Sequence, residues 1–196
     1  MPPQNTDLAR LRRFFEQIAP VPDDVWADLR QPWRREAFQR GDILTHDGTV
    51  ERRFGIVLDG VIRGVFFAPD GSEHTVAFCY ADDPTGIPDS FFLQTPALYS
   101  LDALTDGTLL GIDRASMAAL MEQHPILHRW TWQLFAAAFA GRSKREGEFL
   151  MLSAEERYAR LVRESPQLLQ HVPLRHIASY LGMTPETLSR IRAQRS

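Results

Sequence analysis

Cysteine and lysine are almost absent from this 196-residue chain, which contains one of each, Cys79 and Lys144. A lone cysteine excludes a disulfide framework and a cluster ligated by several cysteines. The sequence has no run of eighteen apolar residues, so it predicts no membrane span. Its first residues also lack the apolar core of a signal peptide. A cytoplasmic location is therefore the default expectation.

Charge is distributed unevenly along the chain, although the net charge is only −3. Residues 142–196 contain ten Lys and Arg against six Asp and Glu, a net +4, so residues 1–141 carry a net −7. An acidic body with a basic C-terminal part fits a tail that meets phosphate groups. In a chain of this length, the same charge asymmetry can also arise by chance. The hydrophobic fraction of 44% is sufficient for one large domain or two small ones.

The most specific pattern lies in residues 173–195 and is typical of a helix, a tight turn and a second helix. Four apolar residues of the first helix share one face at spacings of three and four: Leu174, Ile177, Ala178 and Leu181. Gly182 is expected to end this helix in the left-handed conformation. Thr184 and Pro185 suit the N-cap and first position of the next helix, whose inner face carries Leu188 and Ile191. The pattern predicts a DNA-binding helix-turn-helix, with a plain helical hairpin as the alternative.

The first half of the chain changes from helical to strand periodicity near Trp33. Helices are predicted at 6–19 and 23–31, followed by short strands up to residue 45. Three antiparallel strands are then predicted at 53–58, 61–68 and 73–80, and further strands at 99–106 and 107–114. Short strands at this spacing indicate a β-sandwich or jelly-roll barrel. The loop 81–97 is either functional or a surface connection fixed to the core by Phe91 and Phe92.

After the barrel the pattern is helical, with a short helix near 114–125, a long helix of about seven turns from residue 126, and a third helix after Ser153. Ser153 and Glu156 form a predicted capping box. The long helix has two apolar stripes, and a helix of this kind needs two packing partners. One stripe contains Leu127, Trp130, Leu134, Ala138, Gly141, Arg145 and Glu148, and the other contains Trp132, Phe135 and Phe139. The first five residues of the first stripe are the candidate residues of a dimer helix. A second copy of the chain is the predicted second partner, and a single buried helix in a monomer is the alternative.

These elements define an α+β fold: an N-terminal antiparallel β-barrel (double-stranded β-helix or jelly roll) with flanking helices, a long dimerisation helix and a C-terminal helix-turn-helix domain. The predicted boundaries are 1–123 for the barrel domain, 124–152 for the long helix and 153–196 for a three-helix C-terminal unit.

The order of elements resembles the Crp/Fnr superfamily over nearly the whole chain. The matching segments are FGIVLDGVIRGVF in the barrel, LDALTDGTLLGIDRASMAALMEQHPIL before the long helix, and LGMTPETLSRIRAQ at the helix-turn-helix. The resemblance implies a barrel that binds an effector, often a cyclic nucleotide. It also implies a dimer built on the long helix and a helix-turn-helix that reads a palindromic operator.

The barrel departs from the pattern of cyclic-nucleotide binders at its effector pocket. The family's Gly-Glu pair corresponds to Gly86 and Ile87, and its phosphate-binding Arg corresponds to Ala97, with Leu98 and Tyr99 following. Without that Arg the cyclic phosphate loses its fixed partner, so cyclic AMP and cyclic GMP are expected to bind weakly or not at all. Two residues that could substitute, Arg63 and His74, are expected to be strand surface residues.

No cofactor is identified from the sequence. The single Cys79 excludes a cluster-binding oxygen sensor, and the histidines show no paired ligand spacing for haem. The histidines considered are His46, His74, His124 and His128.

The second helix of the helix-turn-helix also departs from the family pattern. Pro185 stands where well-defined members often have an Arg that contacts guanine, and the family's C-terminal β-hairpin wing has no counterpart, which is expected to lower affinity. Glu186 could accept from a cytosine amino group and Arg190 could pair with guanine. Other candidate DNA contacts are Thr184, Ser189 and Arg192, toward phosphate, and Thr187, near the start of the helix.

Two functions compete on these observations. The first is a dimeric transcriptional regulator, with itself and double-stranded DNA as partners, an unidentified small-molecule effector as a further candidate, and no membrane. The intact turn and the run Arg190, Arg192 and Arg195 favour it. The second is a ligand-binding or interaction module whose vestigial helix-turn-helix no longer binds DNA, which the missing wing and missing Arg favour. An enzyme is disfavoured because no nucleophile–base pair or phosphate-cradling glycine loop is found.

Overall fold

The computed structural model describes residues 1–194, in which the chain forms eight strands and nine helices. The strands are β1 (Arg34–Phe38), β2 (Ile43–Thr45), β3 (Arg53–Asp59), β4 (Ile62–Phe67), β5 (Glu73–Cys79), β6 (Pro84–Thr85), β7 (Ser100–Ala103) and β8 (Gly107–Asp113). The helices are α1 (Asn5–Glu16), α2 (Asp23–Leu29), α3 (Pro88–Leu93), α4 (Arg114–Gln123), α5 (Ile126–Met151), α6 (Ala154–Glu164), α7 (Leu168–His171), α8 (Leu174–Tyr180) and α9 (Pro185–Ala193). None of these helices combines the length and the apolar character that crossing a bilayer would require.

The strands form two four-stranded antiparallel sheets with the orders β1-β8-β3-β6 and β2-β7-β4-β5. This arrangement confirms the predicted antiparallel barrel, and β3, β4 and β5 lie where the turn signals placed them. Gly60 makes the tight β3–β4 turn with φ of 89°. A Cβ at this position would lie 2.7 Å from the Asp106 carbonyl oxygen, so only glycine fits there.

An aromatic cluster fixes the first half of α5 to the barrel. The indole of Trp130 lies 4.3 Å from the Phe15 ring of α1 and 6.0 Å from the Phe54 ring of β3, measured between ring centroids. Trp33 and Phe91 are buried in the same cluster. These contacts join the N-terminal helices, the β1–β8–β3–β6 sheet and α5 into one core.

The loop at residues 81–97 is more regular than the sequence indicates. It contains the short strand β6 and the six-residue helix α3, which begins at Pro88. An element of this length shows no periodicity, so sequence patterning misses it. Phe91 is fully buried and Phe92 packs against the same core, as the alternative of a core-fixed connection predicts.

The C-terminal unit contains four helices within the described residues, so the prediction of three is wrong. The additional helix, α7, follows Pro166 and has only four residues. Because it makes about one turn, its apolar residues show no 3.6-residue periodicity. Leu174 is 37% exposed, whereas the other three residues of its predicted apolar face are buried. The buried cluster of this unit includes Val61 of the barrel, so the helix-turn-helix packs directly on the barrel of its own chain.

Candidate functional site

The turn between α8 and α9 has the geometry that its sequence predicts. Gly182 has φ of 64°, and the Met183 N–H donates to the Ala178 carbonyl at 3.0 Å, which closes the end of α8. Thr184 caps α9, and its hydroxyl accepts from the Thr187 N–H at 3.2 Å. Pro185 occupies the first turn, where its missing N–H costs no hydrogen bond.

Gly182→Ala is expected to lower the free energy of unfolding by about 1–2 kcal/mol, because the left-handed backbone disfavours any Cβ. The new Cβ would also lie 2.5 Å from Cε1 of the Phe149 ring. Gly147→Ala is the matched control. It lies inside α5 with open space around its Cβ, so the same change should stabilise by about 0.5–1 kcal/mol. Urea unfolding followed by circular dichroism measures both, and effects of equal sign would contradict this account of the turn.

Helix α9 has two distinct faces. Its inner residues Leu188 and Ile191 are buried, whereas Glu186, Ser189 and Arg190 are exposed. Thr184 and Arg192 are also exposed, and the half-buried Thr187 hydroxyl accepts from Arg190 Nη2 at 3.3 Å. Hydrogen bonds at the helix start, first from the Glu186 N–H and then from Thr184, lower the pKa of the Glu186 carboxyl. The structure therefore brings the six predicted DNA-contacting residues to one helix, and Arg195 lies outside the described residues.

Helix α8 covers the edge strand β5 and so fixes the helix-turn-helix to the barrel. Ser179 Oγ accepts from the Thr75 N–H at 2.9 Å and donates to the Glu73 carbonyl at 3.0 Å. Farther along the interface, the Phe78 and Tyr180 rings lie 5.2 Å apart. These contacts supply the edge of the β2–β7–β4–β5 sheet with partners from the C-terminal unit.

Arg63 lies at the centre of this interface, so its interpretation as a strand surface residue is wrong. It is 3% exposed, donates to Asp102 from Nε at 2.9 Å and to Glu73 from Nη1 at 2.6 Å. Nη1 also donates to His176 Nδ1 of α8 at 2.6 Å. Strand alternation correctly places Arg63 outside the barrel, but it cannot show that α8 covers that face. His74 is exposed, as predicted.

Arg145 of α5 also joins the barrel to the helix-turn-helix. The sequence places it on the first stripe of the long helix but gives no sign of these contacts. Its guanidinium carbon lies 4.1 Å from the centroid of the Tyr180 ring. It donates to the Tyr180 carbonyl at 2.8 Å and to the Val76 carbonyl of β5. One side chain therefore joins the long helix, the barrel edge and the helix-turn-helix.

The five predicted effector-pocket residues do not meet in one cavity. Ile87 and Ala97 are buried in the barrel core, whereas Leu98 is mostly exposed. Gly86 lines a small cavity of about 20 Å³. Tyr99 instead lines a groove of about 870 Å³ between the barrel and the middle of α5.

The small cavity is lined by one acidic and one basic side chain, Glu51 and Arg53. Glu51 is buried against it, and its carboxylate accepts from the Thr45 hydroxyl at 2.7 Å and from the Arg52 and Arg53 N–H groups at 2.9 and 3.0 Å. These bonds fix the Glu51 side chain beside Gly86.

The five residues predicted for the dimer helix divide into two groups. Leu127, Trp130 and Leu134 are buried in the core of their own chain, so their prediction as partner contacts is wrong. Ala138 and Gly141 are exposed and line the groove beside Tyr99. The first half of α5 therefore packs against the barrel, and only its later turns are exposed along the groove.

Metal ligation finds no support in the part of the chain that the structure describes. No three His, Cys, Asp or Glu side chains lie close enough together there to hold an ion. His124, one of the candidate haem ligands, bonds instead to Asp28, with Nε2 3.0 Å from the carboxylate.

Comparisons with known proteins agree with this architecture. The profile of the cyclic nucleotide-binding domain matches residues 35–124. The nitrogen fixation regulation protein FixK of Bradyrhizobium diazoefficiens is 30% identical over 171 residues, which cover 80% of this chain and 69% of FixK.

Two solved structures share the fold. FixK2 of Bradyrhizobium japonicum superposes with a TM-score of 0.73 at 19% identity and covers 83% of both chains. The catabolite activator protein of Thermus thermophilus gives 0.56 at 21% identity, over 90% of this chain and 84% of that one. The matched regulators are not enzymes, in agreement with the sequence analysis. With its barrel, long helix, helix-turn-helix and extended similarity to FixK, this chain belongs to the Crp/Fnr family of transcriptional regulators.

Proposed function

We propose that the protein acts in the cytoplasm as a homodimer that binds a specific double-stranded DNA site through α9. The division of α9 into a buried apolar face and an exposed polar face carries this proposal. A helix that is held firmly on one side and offers Glu186, Ser189 and Arg190 on the other suits the major groove. Phosphates and base edges supply the acceptors and donors that these side chains need.

The roles of the α9 residues follow from their positions. Arg190 is exposed and can give a bidentate pair to guanine, and Glu186 is ionised and can accept from a cytosine amino group. Ser189 and Arg192 can reach phosphate. Thr184 and Thr187 already bond to each other at the start of α9, so they contribute mainly by positioning the helix.

The long helix supports a dimer through a seven-residue repeat. Trp132, Phe139 and Glu146 are spaced by seven, as are Phe135 and Arg142. Trp132 and Phe139 are each 74% exposed, which is a large apolar surface to leave in water. A seven-residue stripe is the pattern that packs two helices in register, so a second copy of α5 is the proposed occupant. To read two adjacent half-sites, such a dimer would need its two α9 helices about 34 Å apart, one turn of DNA.

Cyclic nucleotides are proposed to be weak ligands or none. The cavity beside Gly86, of about 20 Å³, is close to the size of one water molecule, so a cyclic nucleotide does not fit into it. Ala97 offers no cation for the phosphate, and the guanidinium of Arg53, which lines the same cavity, is already paired with Glu36. A small-molecule effector, if the protein uses one, has more room in the groove beside Tyr99 and α5.

Fluorescence anisotropy of labelled DNA tests the proposal. The probe is the upstream region of the protein's own gene, with a scrambled sequence as the control, at several salt concentrations. Arg190→Ala is expected to weaken specific binding about tenfold or more. Arg163→Ala removes the same charge from an exposed position on α6 and should change affinity less than threefold. Cyclic AMP added at millimolar concentration should leave the curves unchanged.

Equal and steeply salt-dependent affinity for both DNAs, or no binding to either, would contradict the regulator and favour the vestigial helix-turn-helix. Equal losses in Arg190→Ala and Arg163→Ala would show that binding depends on net charge and that α9 does not read the sequence.

A further inference from the structure

We propose that Arg63 of the barrel positions α9, the second helix of the helix-turn-helix, through its contact with His176 of α8. We call this contact the joint, and we propose that it loosens when His176 takes up a second proton. The consequence for DNA binding rests on the function proposed above. The joint itself is a property of the free protein and is testable without DNA.

Arg63 is held rigidly by the barrel. It lies in β4, which pairs with β5 on one side and β7 on the other. Asp102 of β7 and Glu73 of β5 bind its guanidinium from both sides. Two carboxylates of the barrel itself therefore orient the guanidinium, and its Nη1 offers a preorganised donor to α8 at the surface of the sheet.

His176 is the group of α8 that meets this donor. It is 6% exposed, and its Nδ1 lies 2.6 Å from Arg63 Nη1. Arginine keeps its protons at every physiological pH, so Nδ1 must be the unprotonated acceptor and the imidazole must be neutral. A second proton on the ring would set an N–H against an N–H and a cation against a cation. The contact that joins barrel and α8 would then become repulsive.

The surrounding charges determine how readily this happens. Burial, then Arg63, then Arg175, whose Nε lies 3.3 Å from His176 Nε2, lower the pKa of His176 from its ordinary value of 6.5. Glu73, 3.9 Å from Nδ1, and Asp102 oppose them. Since the docked state has the lower pKa, its stabilisation is complete above pH 6.5 and is lost as the pH falls through the lowered value.

The effect reaches α9 because α8 carries it. Ser179, one turn after His176, binds the Thr75 N–H and the Glu73 carbonyl of β5. Ile177 and Ala178 of α8 pack in the same buried cluster as Leu188 of α9. Release of α8 from the sheet would therefore change the position of α9 relative to the barrel, and with it the spacing of two such helices in a dimer.

Amide hydrogen exchange of Thr75 in the full-length protein reports the joint directly, because this N–H is bonded to Ser179 of α8. Protection is compared at pH 7.5 and 5.5, corrected for intrinsic exchange and normalised to the amides of β8 in the other sheet. We expect Thr75 protection to fall about tenfold more than β8 protection at the lower pH. An unchanged ratio would overturn the proposal.

Substitutions separate His176 from other titrations. His176→Asn keeps an acceptor near the position of Nδ1 but cannot take a proton, so its Thr75 protection should not depend on pH beyond the β8 reference. His171→Gln changes an exposed histidine nearby and should behave as the unmodified protein. Asp83, whose pKa burial raises to about 6, titrates in the same range beyond the end of β5. A drop that persists unchanged in His176→Asn would therefore assign the effect elsewhere.

Arg63→Gln tests the other half of the joint. The change removes the charge while leaving a donor, so Thr75 should lose protection already at pH 7.5, and Arg63→Lys should restore part of it. Full protection at both pH values in Arg63→Gln would show that Arg63 does not hold α8. If exchange behaves as expected and DNA anisotropy shows no pH dependence, the joint exists and the DNA-binding proposal is the part that fails.

Discussion

Phe139→Glu is expected to convert the proposed dimer into a monomer. Phe139 lies in the middle of the exposed stripe of α5, seven residues from both Trp132 and Glu146. In a two-helix interface with this repeat, the new carboxylate would face its own copy and lie one repeat from Glu146. Like charges in a desolvated contact, added to the lost burial of a phenyl ring, oppose association strongly.

Sedimentation velocity over a range of protein concentrations measures this outcome. Ala140→Glu is the matched control, since it places the same charge one residue further along α5, about 100° around the helix, on an exposed residue that does not line the groove. The control should remain a dimer, and a dimeric Phe139→Glu protein would exclude this helix as the interface. Loss of the dimer should also weaken specific DNA binding about 100-fold or more, because the two DNA-binding units would then bind their half-sites independently.

Local chemistry explains what the sequence predicts correctly. Ser153 and Glu156 form the predicted capping box, and Gly182 and Thr184 form the predicted turn. In each case the residues that interact lie within a few positions of one another. The barrel was predictable for a related reason, because Asp59-Gly60 specifies a hairpin from two adjacent residues.

Long-range packing explains what the sequence does not predict. Arg63 is 113 residues from His176, and strand alternation gives no sign that a helix covers it. The same limit applies to α5. Periodicity identifies two apolar stripes on this helix, but it cannot show which residues pack against the barrel and which are left for a partner. The prediction of the effector pocket fails for the same reason, because Gly86 and Tyr99 are close in sequence but line different cavities.

Trp130→Ala is expected to lower the free energy of unfolding by about 3–5 kcal/mol. The side chain is 2% exposed and touches the aromatic rings of Phe14, Phe15 and Phe54, which come from two separate elements. Its indole Nε1 is buried and has no hydrogen-bond partner among residues 1–194. The expected cost is therefore one of lost packing and a cavity, with no hydrogen bond to add.

Trp132→Ala is the matched control, because Trp132 is the same residue type two positions further along the same helix but is mostly exposed. Urea unfolding of both variants in the Phe139→Glu background removes the contribution of dimer dissociation. There, Trp132→Ala should change the free energy of unfolding by about 0.5 kcal/mol or less. In the dimeric background it should weaken self-association instead. Equal costs for the two tryptophans in the monomer would contradict the division of α5 into a face that serves its own barrel and a face that serves a partner.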